Sequence, residues 1–243
     1  MLAIFKKEVR SFFMSPIGYL IVGLFLLLNG LFLWVFKGDY NIYDYGFADL
    51  GNFFLLAPWI FVFLIPAITM KSFSEERKVG TLELLLIKPT SIWNLVLGKF
   101  LGAVILCSIA VLPTVVYVFA ISSLGISEGN YDLGIVVGSY FGLLFIISAY
   151  TSIGVFASSI SDNQIVSFII GILICFLIFY GFEAISSLFS NGETQQLIQS
   201  MGAKSHFKSI ARGIVDTRDL LYFVSLTIFF LYLTFQQLKQ LPR

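Results

Sequence analysis

Residues 133–161 read LGIVVGSYFGLLFIISAYTSIGVFASSIS, a stretch of 29 residues without a single Asp, Glu, Lys or Arg. Five more charge-free stretches divide the chain, at 11–36, 50–70, 100–127, 163–182 and 220–238. A helix that crosses a bilayer needs about 20 mostly apolar residues, whereas strands of membrane barrels alternate in polarity. The pattern therefore predicts an all-α polytopic membrane protein, a single domain over 1–243, with six transmembrane helices at 17–36, 53–70, 100–123, 134–158, 164–182 and 220–238.

The composition excludes several other classes of protein. Only 12% of the 243 residues are charged, whereas a soluble domain carries about 25% charged residues. Aromatic residues make up 17% of the chain, which a disordered chain would not contain. The net charge of +1 lacks the basic excess of a nucleic-acid-binding protein, so no nucleic acid is expected as a partner. Cys107 and Cys175 lie in apolar runs, which disfavours a disulfide framework or a zinc site.

Lysine and arginine cluster at alternate ends of the predicted spans. The amino-terminal segment, the second loop and the carboxy-terminal tail are basic, whereas the loops that contain Asp44 and Asp132 are acidic. Basic loops stay on the cytoplasmic side of a membrane, so both termini are predicted to be cytoplasmic. The longest loop, 183–219, carries both signs of charge and is placed outside, because long loops weigh less in this rule.

Two segments outside the spans have a helical pattern of their own. In residues 1–14, apolar side chains recur at helical spacing opposite three basic residues, which predicts a helix that lies in the membrane interface. In the outer loop 183–219, apolar residues recur at roughly helical intervals. This spacing predicts short helices on the outer face.

The cytoplasmic region 71–96 lies between the second and third predicted spans. Ser72 and Glu75 match a capping box, which predicts the start of a helix of three or four turns. Pro89 would stop this helix, and Ser91 would cap the next one. Leu82 and the apolar residues 84–87 lie outside any predicted span and need a surface to cover them. The helix is therefore expected to dock on a cytoplasmic partner or on the neighbouring bundle.

The sequence lacks the groups that an enzyme or an ion-coupled transporter would need. No acid or base lies in the middle of a predicted span, where such transporters place ionisable residues. The pattern G-x-x-x-x-G-K-S/T is absent, so the chain is not expected to hydrolyse ATP itself. One histidine, His206, cannot supply the ligand set of a metalloprotease. No catalytic residue, metal site or bound cofactor is predicted.

Gly134, Gly138 and Gly142 recur every four residues at the start of the fourth predicted span. Small residues at this spacing let two helices approach closely. They predict a tight helix contact, either within the bundle or between two copies of the chain.

The loop between spans two and three contains the string Glu75-Glu76-Arg77-x-x-Gly80-Thr81-x-Glu83-Leu84-Leu85. It resembles the E-R-x-x-G-T-x-E-x-L-L signature of the ABC-2 type permeases, the six-span subunits of ATP-binding-cassette transporters. The resemblance implies that these eight residues form an elbow and a coupling helix that dock on a separate cytoplasmic ATPase, which binds ATP and Mg²⁺. In that reading Gly80 allows close approach of the ATPase and the leucines plug a groove. The resemblance also implies a second membrane subunit, either a permease (identical or homologous) or an accessory subunit, and a bacterial inner membrane.

A second string, in the outer loop, resembles the permeases associated with bacterial gliding motility, as do the opening residues 4–19. Its members are His206, Phe207, Gly213, Asp216, Arg218 and Asp219. His206 is expected to form local hydrogen bonds, and Asp216 and Asp219 with Arg218 are expected to anchor the outer loop over the sixth span.

These observations predict a permease subunit driven by a separate ATPase and linked to gliding motility. One alternative stays open, a structural membrane anchor of a larger envelope or motility machine. Such an anchor would keep a docking loop but would not depend on ATP turnover.

Overall fold

A computed structural model describes residues 1–46, 49–87, 91–124, 132–213 and 216–241. In these residues the chain is mostly helical and contains no strand. Six of the described helices are long and apolar enough to cross a membrane, and we call them spans 1 to 6: Pro16–Val35, Gly51–Lys78, Ile92–Leu124, Leu133–Ile160, Gln164–Ser186 and Thr217–Lys239. The all-α fold class and the six predicted spans are confirmed.

Shorter helices lie at the two ends of the bundle. One end, which we call the near end, carries the amino-terminal helix Leu2–Met14 and the helices Lys71–Lys78 and Thr81–Ile87. The pattern of residues 1–14 predicts the first of these helices. The far end carries Ile42–Tyr45 and, within the predicted outer loop, Gly192–Gln199 and Ala203–Ala211. Ser15 caps span 1 by accepting a hydrogen bond from the backbone N–H of Ile17 at 3.2 Å, and Pro16 occupies the first helical position, where its missing N–H costs nothing.

The region 71–96 differs from its prediction. The apolar part of span 2, Gly51–Thr69, passes into the helix Lys71–Lys78 after a single residue, and Ser72 is buried inside this helix instead of capping it. The capping box is therefore wrong, because a chain that leaves one helix directly for the next has no free N–H groups to cap. Gly80, with φ of +75°, then ends this helix and starts Thr81–Ile87, so two short helices replace the single predicted one.

Span 3 begins at Ile92, eight residues before its predicted start at 100. Ser91 caps it as predicted, since its Oγ accepts a hydrogen bond from the backbone N–H of Asn94 at 3.2 Å. The earlier start brings Lys99 inside the span. Pro89, the predicted stop signal, lies outside the described residues.

Spans 2 and 4 form the centre of the bundle. In the most apolar window of span 2, 72% of the residues are buried, and in span 4 the share is 50%, compared with 28% in each of spans 1, 5 and 6. Glycines allow the closest approaches: a Cβ at Gly154 of span 4 would collide with Thr69 of span 2, and one at Gly171 of span 5 would lie 3.0 Å from Cβ of Pro66. These glycines lie outside the predicted triplet.

Candidate functional site

A buried lysine holds together the elements at the near end. The Lys99 side chain is 3% exposed, and its Nζ donates to the backbone oxygen of Ser72 at 2.6 Å. The same Nζ lies 3.1 Å from Oε1 of Glu8, 3.0 Å from Oε1 of Glu76 and 5.1 Å from the centre of the Phe73 ring. A buried ammonium is stable only when it is paired and hydrogen-bonded. This near-end cluster therefore joins the amino-terminal helix, the helix Lys71–Lys78 and span 3.

Two glycines of span 3 bring the amino-terminal helix close enough to complete the cluster. A Cβ at Gly98 would lie 2.9 Å from Cγ2 of Ile4, and one at Gly102 would lie 2.7 Å from Cβ of Glu8. Contacts this short leave no room for a side chain. The two glycines therefore form a seat on which the helix lies, with Glu8 above Lys99.

Arg77 fastens the same helix to span 4. Its Nη1 donates to the backbone oxygens of Ser159 and Ile160, at 3.2 Å and 3.1 Å. These carbonyls belong to the last turn of span 4, where a helix has no partners of its own for them and where a positive charge is favourable. Arg77 therefore contacts the carboxy-terminal end of span 4.

The chain after Gly80 packs back onto the bundle. Leu82 is 3% exposed and lies in an apolar cluster with Phe73, Leu95 and Val96, against which Leu85 is partly buried. Of the two expected surfaces, the neighbouring bundle is therefore the one that covers Leu82. The side chain of Leu84, one of the implied docking residues, lies outside the described part of the structure.

The chain on both sides of the Gly80 turn is exposed at the near end. In this segment, which we call the tip (residues 75–83), Glu75, Thr81 and Glu83 are exposed, and the apolar side chain of Val79 is 68% exposed. Among the described residues, no atom lies within 4 Å of the position that a Cβ on Gly80 would take. Gly80 therefore forms the turn through its positive φ, and within this chain it makes no close approach. The tip presents one exposed apolar side chain, Val79, among charged ones of both signs, Lys78 and the two glutamates.

At the far end, His206 connects the helix Ala203–Ala211 to span 6. Its Nδ1 lies 2.7 Å from Oδ1 of Asp219, its Nε2 lies 2.8 Å from the backbone oxygen of Ser200, and its ring stacks on Tyr222 at 4.1 Å between centroids. Both ring nitrogens therefore lie within hydrogen-bond distance of an oxygen atom. Local hydrogen bonding was the predicted role of His206, and the geometry agrees with it.

The other residues of the outer string have separate structural roles. Asp216 caps span 6, since its Oδ1 accepts from the backbone N–H of Arg218 at 2.9 Å, while the Arg218 side chain is exposed and forms no ion pair within the described residues. The expected anchor therefore consists of the two aspartates without that guanidinium. Phe207 packs over Gly142, where a Cβ would lie 3.2 Å from its ring, and Gly213 ends the helix with φ of +83°.

The predicted glycine triplet does not act as one surface. Gly142 receives the helix Ala203–Ala211 of the same chain, whereas Gly134 is exposed and next to its own cap, Asp132. Gly138 is buried in span 4. For Gly142, the contact within the bundle is therefore the correct alternative.

A comparison with protein families adds one match over nearly the whole length. A model of the ABC-2 family transporter proteins matches residues 2–238. The chain belongs to the ABC-2 transporter family. As a membrane subunit of such a transporter, an ABC-2 permease carries no ATPase of its own and works with a cytoplasmic ABC ATPase. No curated protein matches the chain.

Several residues of this ABC-2 permease that the geometry brings forward were missed in the sequence. Glu8 and Lys99 are 91 residues apart, and nothing local marks them as a pair. A signal did exist, because Lys99 is a single charge between Gly98 and Gly102 in an otherwise apolar helix. Val79 was also missed, since one valine in a charged loop carries no pattern.

Proposed function

We propose that this ABC-2 permease is driven by a cytoplasmic ATPase that docks on the tip (residues 75–83). The observation that carries the proposal is that Val79 stands exposed at the end of a segment whose two flanks are tightly held. An apolar side chain that is surrounded by charged ones is typical of the centre of a protein interface. ATP and Mg²⁺ would bind to the partner, and this chain would bind neither.

The anchors of the tip explain how a docked ATPase would move the spans. Arg77 connects the tip to span 4, Lys99 connects the adjoining helix to span 3 and to the amino-terminal helix, and the helix itself continues span 2. A push on the tip would therefore act on four elements together. Rigid-body movement of packed helices between two arrangements is a common way for such a push to open one side of a bundle.

The same proposal fixes orientation and assembly. The near end would face the cytoplasm of a bacterium, with both termini on that side and the spans in the inner membrane. A second permease, identical or homologous, would complete the transport path, in keeping with the low burial of spans 1, 5 and 6, of which 28% each is buried within this chain. Lipid would cover the remaining apolar faces.

A narrower proposal concerns biology. The strings at residues 4–19 and 205–223 resemble those of permeases associated with gliding motility, and we propose that this transporter serves the same process. The support for it is this resemblance alone, and the substrate follows from neither string.

Purification of the tagged chain in mild detergent, with identification of co-purifying proteins and an ATPase assay, tests the docking. We expect a soluble protein with a Walker motif in the wild-type complex and at least about tenfold less of it with Val79→Asp, because a central apolar contact is replaced by a charge. Leu188→Asp is the matched control, since Leu188 is 80% exposed at the far end. It should leave the ATPase bound.

Two results would count against the proposal. Equal recovery of the ATPase with Val79→Asp and Leu188→Asp would place the docking surface elsewhere. Recovery of membrane or envelope partners only, even after crosslinking, would favour the structural anchor.

For the motility link, colony spreading of a gliding bacterium whose own copy carries Val79→Asp should be lost, and normal spreading would remove that link.

A further inference from the structure

A cavity of about 400 Å³ lies at the near end, beside the near-end cluster. The amino-terminal helix, the start of span 1, the end of the apolar part of span 2 and the helix Lys71–Lys78 form its walls. One water takes about 30 Å³ of liquid, so the cavity is large enough for a group of many atoms.

The walls of the cavity divide into an apolar and a charged part. Phe12, Ile17 and Ile68 belong to the apolar part, at the level where span 1 starts and the apolar part of span 2 ends. The charged part follows directly, with Lys71 and Glu75 one turn apart on the next helix. Because the apolar spans give way to charged residues at this level, the cavity lies where lipid headgroups meet acyl chains.

The charges in the wall are balanced. Three lysines and three glutamates line the cavity: Lys7, Lys71, Lys99, Glu8, Glu75 and Glu76. The sum of these charges is zero, so an anionic ligand gains no net attraction, whereas a ligand with one positive and one negative pole can pair with both kinds of residue.

Part of this charged wall has no ion-pair partner among the residues that the structure describes. Within the described residues, Lys71 and Glu75 form no ion pair, and Oε2 of Glu76 is buried without a hydrogen-bond donor. Glu75 is exposed, so its carboxylate is free to accept hydrogen bonds from a ligand that brings N–H groups, whereas the buried Oε2 of Glu76 is out of reach of a ligand. Lys7, with a side chain that is 66% exposed and 3.7 Å from Glu76, is free to turn toward a phosphate.

We propose that the cavity binds the headgroup of a resident phospholipid that carries a primary amine and a phosphate, phosphatidylethanolamine in chemical terms. The ammonium donates to Glu75, the phosphate pairs with Lys7 and Lys71, and the first part of an acyl chain lies against Phe12. A choline headgroup has no N–H to donate, and its recognition needs several aromatic rings, whereas Phe12 is the one aromatic residue of the described lining. A glycerol headgroup lacks the positive pole.

Native mass spectrometry of the purified full chain tests this site with three lipids of identical acyl chains. We expect phosphatidylethanolamine to be retained about tenfold more than phosphatidylcholine or phosphatidylglycerol, as the loss of one charged hydrogen bond would give. Acyl-free glycerophosphoethanolamine separates a lipid from a soluble ligand with the same headgroup. It should not displace the lipid at equal concentration, because it lacks the part that contacts the apolar wall.

Matched variants keep the fold and change the site. Lys7→Ala and Glu75→Gln should each lower retention several-fold, whereas Lys6→Ala and Glu83→Gln, equally exposed residues that do not line the cavity, should leave it unchanged. Equal retention of the ethanolamine and choline lipids, preference for the glycerol lipid, displacement by the soluble headgroup, or equal effects of Lys7→Ala and Lys6→Ala would each overturn the proposal.

Discussion

Replacement of Lys99 by methionine tests the near-end cluster most directly. Methionine keeps most of the buried stem and removes the ammonium. Three acceptors then lose their donor at once: the backbone oxygen of Ser72 and the carboxylates of Glu8 and Glu76. The two carboxylates also lose the charge that separates them, so they repel each other across the seat of the amino-terminal helix.

The size of the effect follows from burial. Loss of one partner of a buried ion pair costs about 3–5 kcal/mol. The Glu8 and Glu76 side chains are 14% and 16% exposed, so water can reach them in part. We therefore expect the lower end of the range, a free energy of unfolding that is lower by about 3 kcal/mol. For a chain of this length that corresponds to a Tm lower by about 6–12 °C.

The assay is size-exclusion chromatography of the detergent-solubilised protein after heating, detected by tryptophan fluorescence. Hydrogen exchange of Leu2–Met14 gives a local measure, because this helix should open first. Lys208→Met is the control, since Lys208 also pairs with a carboxylate, that of Glu183, but at the far end and with a 39% exposed side chain. Its effect should stay at or below about 1 kcal/mol.

A triple variant separates the ionic argument from simple loss of packing. Lys99→Met combined with Glu8→Gln and Glu76→Gln removes all the charges, and neutral replacement of a whole buried ionic set is often tolerated. We expect it to recover more than half of the lost stability. A triple variant as unstable as the single one, or a single variant within about 2 °C of wild type, below the shift that 1 kcal/mol would give, would refute the reasoning.

Two further predictions concern the seat and the far end. Gly102→Ala should lower the free energy of unfolding by about 1–3 kcal/mol, because the new Cβ lies 2.7 Å from Cβ of Glu8. Gly23→Ala is the control in the same heating assay. It should not lower stability, because its Cβ meets no described atom within 4 Å. His206→Phe keeps a ring for stacking but leaves the carboxylate of Asp219 without its donor. We therefore expect the free energy of unfolding to fall by about 2 kcal/mol and Asp219→Asn to restore part of it. If Asp219→Asn restores nothing, the hydrogen bond is not what stabilises the loop.

The spans were predictable because their signal is local and strong. A long stretch without charge forms a spanning helix in a bilayer, and the predicted ranges overlap the observed helices except near their ends. Span 3 shows the limit of this signal. Lys99 suggests the end of an apolar stretch, yet the helix begins at Ile92, since Glu8 and Glu76 neutralise the lysine within the fold.

The near-end cluster could not be predicted because its parts are far apart in the sequence. Glu76 belongs to the recognised string, but its partner Lys99 follows 23 residues later and Glu8 lies at the other end of the cluster, 91 residues before Lys99. The spacing of glycines in the sequence did not show which of them form helix contacts either. The regular triplet around Gly138 suggested a packing face, whereas the seat of the amino-terminal helix uses Gly98 and Gly102, whose importance depends on what lies opposite them.

The placement of polar contacts indicates which parts of the bundle move together. In the middle of the spans, hydroxyl groups such as those of Thr69 and Ser152 donate to carbonyls of their own helices, so small shifts between spans 2 and 4 break no hydrogen bond of these groups. Spans 3 and 4 are tied by the pair Thr114 and Tyr140, with 3.1 Å between the oxygens. Arg77 ties span 4 to the helix that continues span 2. A force on the tip would therefore reach span 2 directly, through the helix that continues it, and span 4 through Arg77. Span 3 would follow span 4 through the pair Thr114 and Tyr140, while the apolar part of span 2 shifts along the glycine contacts.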